Sequence, residues 1–203
     1  MIFDFQQLSP NRIYHTMIQT LTPRPVAWVL SENGNNSFNL APFSYFNAVS
    51  SDPPLIMLSM GKKPDGELKD TRLNIIERSH FVIHIAHREL AQAMTNSAAT
   101  LPYGESELSA SGLETTAFGD FALPRLKDCR VAYACERYRV EDITKNQAMI
   151  LGSVKAVYIN DDIILPTEDE RLHVDAYKLD AVGRLGGDEY GYLGQVEEVA
   201  RPK

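Results

Sequence analysis

Cysteine, tryptophan and net positive charge are scarce in this chain, and long apolar runs are absent. Only Cys129 and Cys135 stand among the 203 residues. They bound the run Cys129-Arg130-Val131-Ala132-Tyr133-Ala134-Cys135, which reads as one strand. A strand of that length covers about 20 Å, whereas a disulfide needs Cα atoms within about 7 Å. A bridge between them is therefore not expected, and reduced thiols point to a cytoplasmic protein. The formal net charge of −7 disfavours a nucleic-acid partner, which calls for a basic face to neutralise phosphates. No apolar stretch reaches the roughly 20 residues that a membrane span requires. The opening Met1-Ile2-Phe3-Asp4-Phe5 is not a basic-then-apolar leader. A Walker phosphate loop, a glycine dinucleotide fingerprint after an early strand and a nucleophile elbow are missing too.

What is present describes a globular chain: 44% hydrophobic and 23% charged residues lie near the average for folded domains. The length suits a single domain over 1–203. Ser9 as cap and Pro10 at the first helical position open a short helix. Val26 to Leu30 reads as a strand, Asn33-Gly34 as a turn that tolerates positive φ, and Phe38 and Leu40 as the returning strand of a hairpin. Trp28 belongs to the core or a barrel wall. Ser51-Asp52-Pro53-Pro54 is a break, Leu55 to Met60 a strand, and Asp70 to Arg78 a helix with Asp70 as its cap. His80 to Ala86 alternates as a strand. Helical patterns follow over Arg88 to Ala98 and Ser106 to Gly112. Val131 to Val140 and Met149 to Ile159 read as long strands, and Glu168-Asp169-Glu170 as a solvated loop. Many strands joined by hairpins, without βαβ alternation, predict a barrel or sandwich.

His80, His84 and His87 raise the question of a metal. In a strand, His80 and His84 would stand about 13 Å apart, too far to share an ion whose ligand bonds are about 2 Å. Phe81 also occupies the place where the zinc-protease helix motif needs a glutamate. No metal is expected.

The most informative stretch is Asn39-Leu40-Ala41-Pro42-Phe43-Ser44-Tyr45-Phe46. It reads as a strand running into a small-residue turn, able to lie against a planar ring and bond to its edge. Arg24-Pro25-Val26-Ala27 precedes it. Asp52-Pro53-Pro54-Leu55, Lys69-Asp70-Thr71 with Asn74, and Ser111-Gly112-Leu113 follow. Arg184-Leu185-Gly186-Gly187 with Tyr190 closes the series. In order and approximate spacing these segments resemble the motifs of the flavin-reductase-like proteins, whose fold is an FMN-binding split β-barrel. The resemblance implies a mainly β protein with peripheral short helices, working as a homodimer that holds FMN near the subunit interface. NADH or NADPH would be a transient co-substrate, docking on the flavin rather than in a Rossmann domain. Flavin reduction by NAD(P)H is the leading expectation. A non-enzymatic FMN electron carrier and an FMN-binding module without turnover are the rivals.

FMN needs a floor for its rings, polar partners for the ring edge and a cradle for its phosphate. Ala41 and Pro42 allow close approach of the backbone. Ser44 and Asn39 offer hydrogen bonds, and Tyr45 a wall. Arg24, pinned between two prolines, is expected to reach a ring oxygen or the phosphate, and it or an N–H near Ala41 to stabilise negative charge on reduced flavin. Ser59, Gly61 and Lys62, with Lys69 and Thr71 at a helix start, are the phosphate candidates. Asp70 is expected to point away from the ligand. Arg184 and Tyr190 are candidates either for flavin or for the dimer partner. No catalytic side chain is assigned, because hydride transfer between two cofactors needs no protein nucleophile.

Overall fold

The computed structural model describes residues 1–167, 170–200 and 202. Glu168 and Asp169 of the acidic run lie outside them. Seven strands make one antiparallel sheet: β1 Ala27–Glu32, β2 Phe38–Phe43, β3 Phe46–Ser51, β4 Pro54–Gly61, β5 His80–Ile85, β6 Val131–Thr144 and β7 Gln147–Ile159. Their order is β2-β1-β5-β6-β7-β4-β3. The two outermost strands are consecutive in the chain, separated only by Ser44 and Tyr45. A sheet whose edges are joined by so short a link cannot lie flat. It curls until β2 meets β4 from the far side of the order, and the mainly β split barrel results.

Period-2 alternation divides the apolar residues between the two faces of the sheet. Ala27, Val29, Leu58, Phe81, Ile83 and Ile150 fill the interior. Trp28, Leu30, Leu40, Val82 and Ala134 form a second core on the outside. The expected hairpin forms with β1 and β2 in continuous register from Ala27↔Phe43 to Glu32↔Phe38. At its tip the positive φ falls on Asn36 rather than on Gly34.

The described residues hold five α-helices: α1 Pro10–Thr20, α2 Asp70–Arg78, α3 Ala91–Asn96, α4 Glu107–Ser111 and α5 Ala176–Leu179. Ser9 caps α1, accepting from the Arg12 amide, and Pro10 sits in its first turn. α2 closes one end of the barrel with fully buried Ile75. Among the described residues no helix is long and apolar enough to cross a membrane.

Several expectations change. β2 runs straight through Ala41 and Pro42, and the bend comes only at Ser44–Tyr45. Pro42 is tolerated because β2 is an edge strand. On its open side Leu40 N–H donates to Glu107 Oε2 and Phe38 C=O accepts from Ser106 Oγ. By alternation, the missing N–H of Pro42 falls on that same side, where no ladder bond is lost. β3 had no signal in the sequence because its residues are mostly exposed. The helix expected over Arg88 to Ala98 is a 3-10 turn, Arg88–Leu90, followed by the shorter α3. Cys129 precedes β6 instead of lying in it; both cysteines are free and buried.

Gly152 in β7 lies directly over Phe81: an added Cβ would come 2.5 Å from its Cζ. Gly152→Ala is therefore expected to destabilise the fold by about 1–3 kcal/mol through overpacking, measured by urea unfolding. Phe81→Leu placed in the same chain should recover part of that loss, and strictly additive costs would show that the two positions do not compete for space.

Candidate functional site

The hairpin and α2 are joined by a buried knot of side-chain hydrogen bonds. Asn39 Nδ2 donates to Thr71 Oγ1 at 2.8 Å and to Ser31 Oγ at 3.3 Å. Asn74 Nδ2 donates to Ser31 Oγ at 3.1 Å and to Asn33 Oδ1 at 2.8 Å. All five residues are at most 4% exposed. Beside the knot opens a cleft of about 280 Å³ lined by Asn39, Ala41, Pro42, Phe43, Lys62, Lys63, Pro64, Lys69, Asp70, Thr71, residues 97–101 and Glu107.

The cleft is positive at one wall. Lys69 is the N-cap of α2, and no side chain caps the helix, so its first-turn N–H groups keep their partial positive charge. Burial pulls the Lys69 pKa down, and its ammonium lies over the Phe43 ring, 5.4 Å from the centroid. Neither Lys69 nor Lys62 forms an ion pair among the described residues. Asp70 is not the cap and does not point away. It lines the cleft as the first residue of α2 and pairs with Lys63 Nζ at 2.6 Å. That ion pair holds its carboxylate where a capping bond would otherwise have turned it.

A second, open and mainly apolar groove of about 750 Å³ adjoins the Ser44–Tyr45 bend. Arg24, Ser44, Tyr45 and Ser59 line it with Met17, Leu21, Phe46, Met57, Ile143 and Met149. Segment 39–46 thus borders both spaces. Arg24 is largely spent on the fold. Its Nη1 donates to the carbonyls of Ile18 (2.7 Å) and Leu21 (2.8 Å), Nη2 to that of Leu185 (3.0 Å) and Nε to Ser44 Oγ (3.3 Å). One of the guanidinium's five N–H groups is left. The Ala41 N–H faces β1, since that of Leu40 faces outward, so it is not offered to the cleft.

The remaining candidates lie apart from the cleft. Ser59 accepts from Gln147 Nε2 at 2.8 Å, and Gly61 pairs with the same residue in the ladder. The Arg184 guanidinium lies over the Tyr190 ring, 4.7 Å from its centroid, and the Tyr190 hydroxyl donates to Thr95 Oγ1 of α3 at 2.9 Å, the Thr95 proton being given to the Ala91 carbonyl. This tail forms a small sheet with Arg24–Pro25. Sequence reasoning missed Glu107 and residues 97–101, which carry no motif and reach the cleft only through tertiary packing.

His84 is bound into the fold. His84 Nδ1 donates to the Trp28 carbonyl at 3.0 Å, and Nε2 accepts from the Leu126 amide at 2.9 Å. Those partners define a neutral ring. Burial drives its pKa down to about 4, the Trp28 carbonyl partly opposing and the Arg125 charge adding to the fall. Trp28 in turn donates to Ser97 Oγ in the cleft wall at 2.8 Å.

The fold is a split barrel with an anion-ready helix end beside the edge of its first hairpin. The flavin reductase like domain matches residues 19–171, and the chain belongs to that family. It is 30% identical over 206 residues to the uncharacterized protein YwrF of Bacillus subtilis (strain 168), covering 99% of this chain and 98% of that one. Nitrilotriacetate monooxygenase component B from Bacillus cereus superposes with a TM-score of 0.90 at 29% identity over 98% of each chain. The 2-nitrobenzoate 2-nitroreductase NbaA of Pseudomonas fluorescens gives 0.88 at 29% identity over all of this chain and 96% of that one. Family and neighbours support a flavin-related oxidoreductase.

Arg24→Ala is expected to lower stability by about 2–4 kcal/mol, because it strips buried carbonyls of a charged donor; a melting temperature near wild type would show that those carbonyls find other partners. For His84, the unfolded imidazole takes up its proton near 6.5 and the folded one only near 4. Acid therefore favours the unfolded chain. The contribution is complete above about pH 6.5 and is lost progressively toward pH 4, by about 3 kcal/mol. Denaturant midpoints across that range measure it, and a His84 NMR signal titrating near 6.5 in the folded protein would contradict it.

Proposed function

We propose that the protein binds FMN and passes hydride from NADH or NADPH to flavin, as a homodimer with the flavin near the subunit interface. The observation that carries this reading is the uncapped start of α2, with Lys69 and Lys62, which form no ion pair among the described residues, beside residues 39–43 of the edge strand β2. Helix N-terminal amides and desolvated lysines suit a phosphoryl group. The donor set fits the terminal phosphate of FMN.

Bound FMN would supply the two-electron redox chemistry. The protein's residues bind, orient and shield. Lys69 and Lys62 balance the phosphate charge. Thr71 already accepts from Asn39, so its own O–H is left to donate into the cleft, and Asn39 acts as a positioning residue behind it. Ala41 and Pro42 give a planar ring a small-residue floor. Ser44 and Tyr45 border the ring's path into the open groove. There Met57, Met149 and Ile143 offer apolar walls that exclude water from the reacting faces. A second copy over that groove would complete the enclosure, and exposed Leu21 and Ile143 at its rim support this. Ser59 and Gly61 support the groove wall through Gln147 rather than the phosphate. Arg184 and Tyr190 tie the tail to α3, Arg184 through its stacking on Tyr190 and Tyr190 through its bond with Thr95.

Anaerobic addition of NADH or NADPH to FMN-loaded protein, without a partner protein, should bleach the flavin absorbance; persistent colour with both nucleotides would favour a carrier. Lys69→Ala should weaken FMN binding about tenfold, equivalent to about 1.4 kcal/mol, with little change for riboflavin, which has no phosphate. Equal losses for both flavins would remove Lys69 from the phosphate site. Protein that neither colours nor releases heat with FMN would sink the flavin reading.

A further inference from the structure

Glu107 is a charged group in a place where a neutral one would serve the fold. It opens α4, is 7% exposed, and accepts the Leu40 N–H on the open edge of β2 at 2.8 Å. A glutamine oxygen would accept the same bond without the cost of desolvating a charge. Burial pushes the carboxyl up; its backbone hydrogen bonds hold it back, nearby Asp70 adds to the rise, and Lys63 opposes it. The walls of the cleft carry Lys62, Lys63 and Lys69 against Asp70 and Glu107, a single positive charge in excess. Lys63 is held by Asp70, with both side chains about nine-tenths buried. Lys62, Lys69 and the start of α2 line the same cleft as Glu107, whose charged neighbours are Asp70 and Lys63. The balance suits one phosphoryl group and opposes a second.

Resting on the phosphate assignment made above, we propose that Glu107, seconded by Asp70, makes the cleft selective for a flavin ending in a phosphomonoester over a flavin dinucleotide, by repelling the second phosphoryl group.

The test is equilibrium titration of the full-length wild type, Glu107→Gln and Asp70→Asn with FMN, FAD and riboflavin. It is read by flavin fluorescence and by quenching of Trp28, the chain's single tryptophan. Wild type should hold FMN at least about tenfold tighter than FAD, and Glu107→Gln should cut that ratio about five- to tenfold, mainly through tighter FAD. A folded Glu107→Gln with the wild-type ratio overturns the inference, as does a wild type that prefers FAD. If Glu107→Gln does not fold, Asp70→Asn decides: a ratio reduced about threefold or more supports the inference, and an unchanged one overturns it. An unchanged ratio in variants that still bind FMN leaves the flavin reading standing, whereas a wild type that binds none of the three flavins removes both.

Discussion

The buried hydrogen bonds that tie Asn39 and Ser31 of the first hairpin to Thr71 and Asn74 of α2 are the constraint on which the rest depends. Buried polar groups need partners of defined geometry. The hairpin and the helix therefore meet in one arrangement, not a range of them. The same bonds seat α2 over the end of the barrel, bring its uncapped start beside the edge of β2, and turn the Thr71 oxygen toward Asn39. Fold and candidate site draw on one set of contacts, and a polar substitution there acts on both.

Edge management follows from it. A barrel opened between β2 and β3 exposes main-chain groups that invite pairing with other chains. Here Glu107 and Ser106 occupy part of the open side of β2, and Pro42 removes a donor farther along it. The protection of the strand and the charge of the cleft thus share a residue, Glu107. Arg24 has a similar double position. It borders the groove by the bend, yet its guanidinium binds the end of α1, the turn after it and the carboxy-terminal tail together. A charged residue between two prolines looked like a ligand donor in the sequence. The structure spends two of its donors on carbonyls at the end of a helix, one on the Leu185 carbonyl and one on the Ser44 hydroxyl.

Legibility in the sequence varied with how local the signal was. The hairpin, α1 with its Ser9 cap, the helix over Asp70 to Arg78 and the long pair of strands, expected over Val131 to Val140 and Met149 to Ile159 and found over Val131–Thr144 and Gln147–Ile159, were readable, because turn chemistry, capping and alternation act over a few residues. β3 was not, since its side chains are exposed and carry no pattern. The helix expected over Arg88 to Ala98 was overstated because an apolar stripe marks a face and not a length. Within the site, Asn39, Ala41, Pro42, Lys62, Lys69 and Thr71 were named from motifs and do meet at one cleft. Glu107 and the stretch from Ser97 to Leu101 carried no motif, and Asp70 was misread because a cap and an ion pair begin with the same residue type at a helix start.

From its sequence alone this chain determines its strand and helix propensities, its turns, its acidic balance and its reduced, isolated cysteines, since each rests on neighbours or on composition. The tertiary structure decided which lysines form no ion pair among the described residues, which arginine donors remain, how far β2 runs before it bends, and that a buried glutamate lines the same cleft as the start of α2. Those outcomes depend on burial and on partners tens of residues away, such as Leu40 with Glu107 and Arg24 with Leu185. Electrostatic strength is governed by that surrounding medium and its charges, not by the residue's own chemistry.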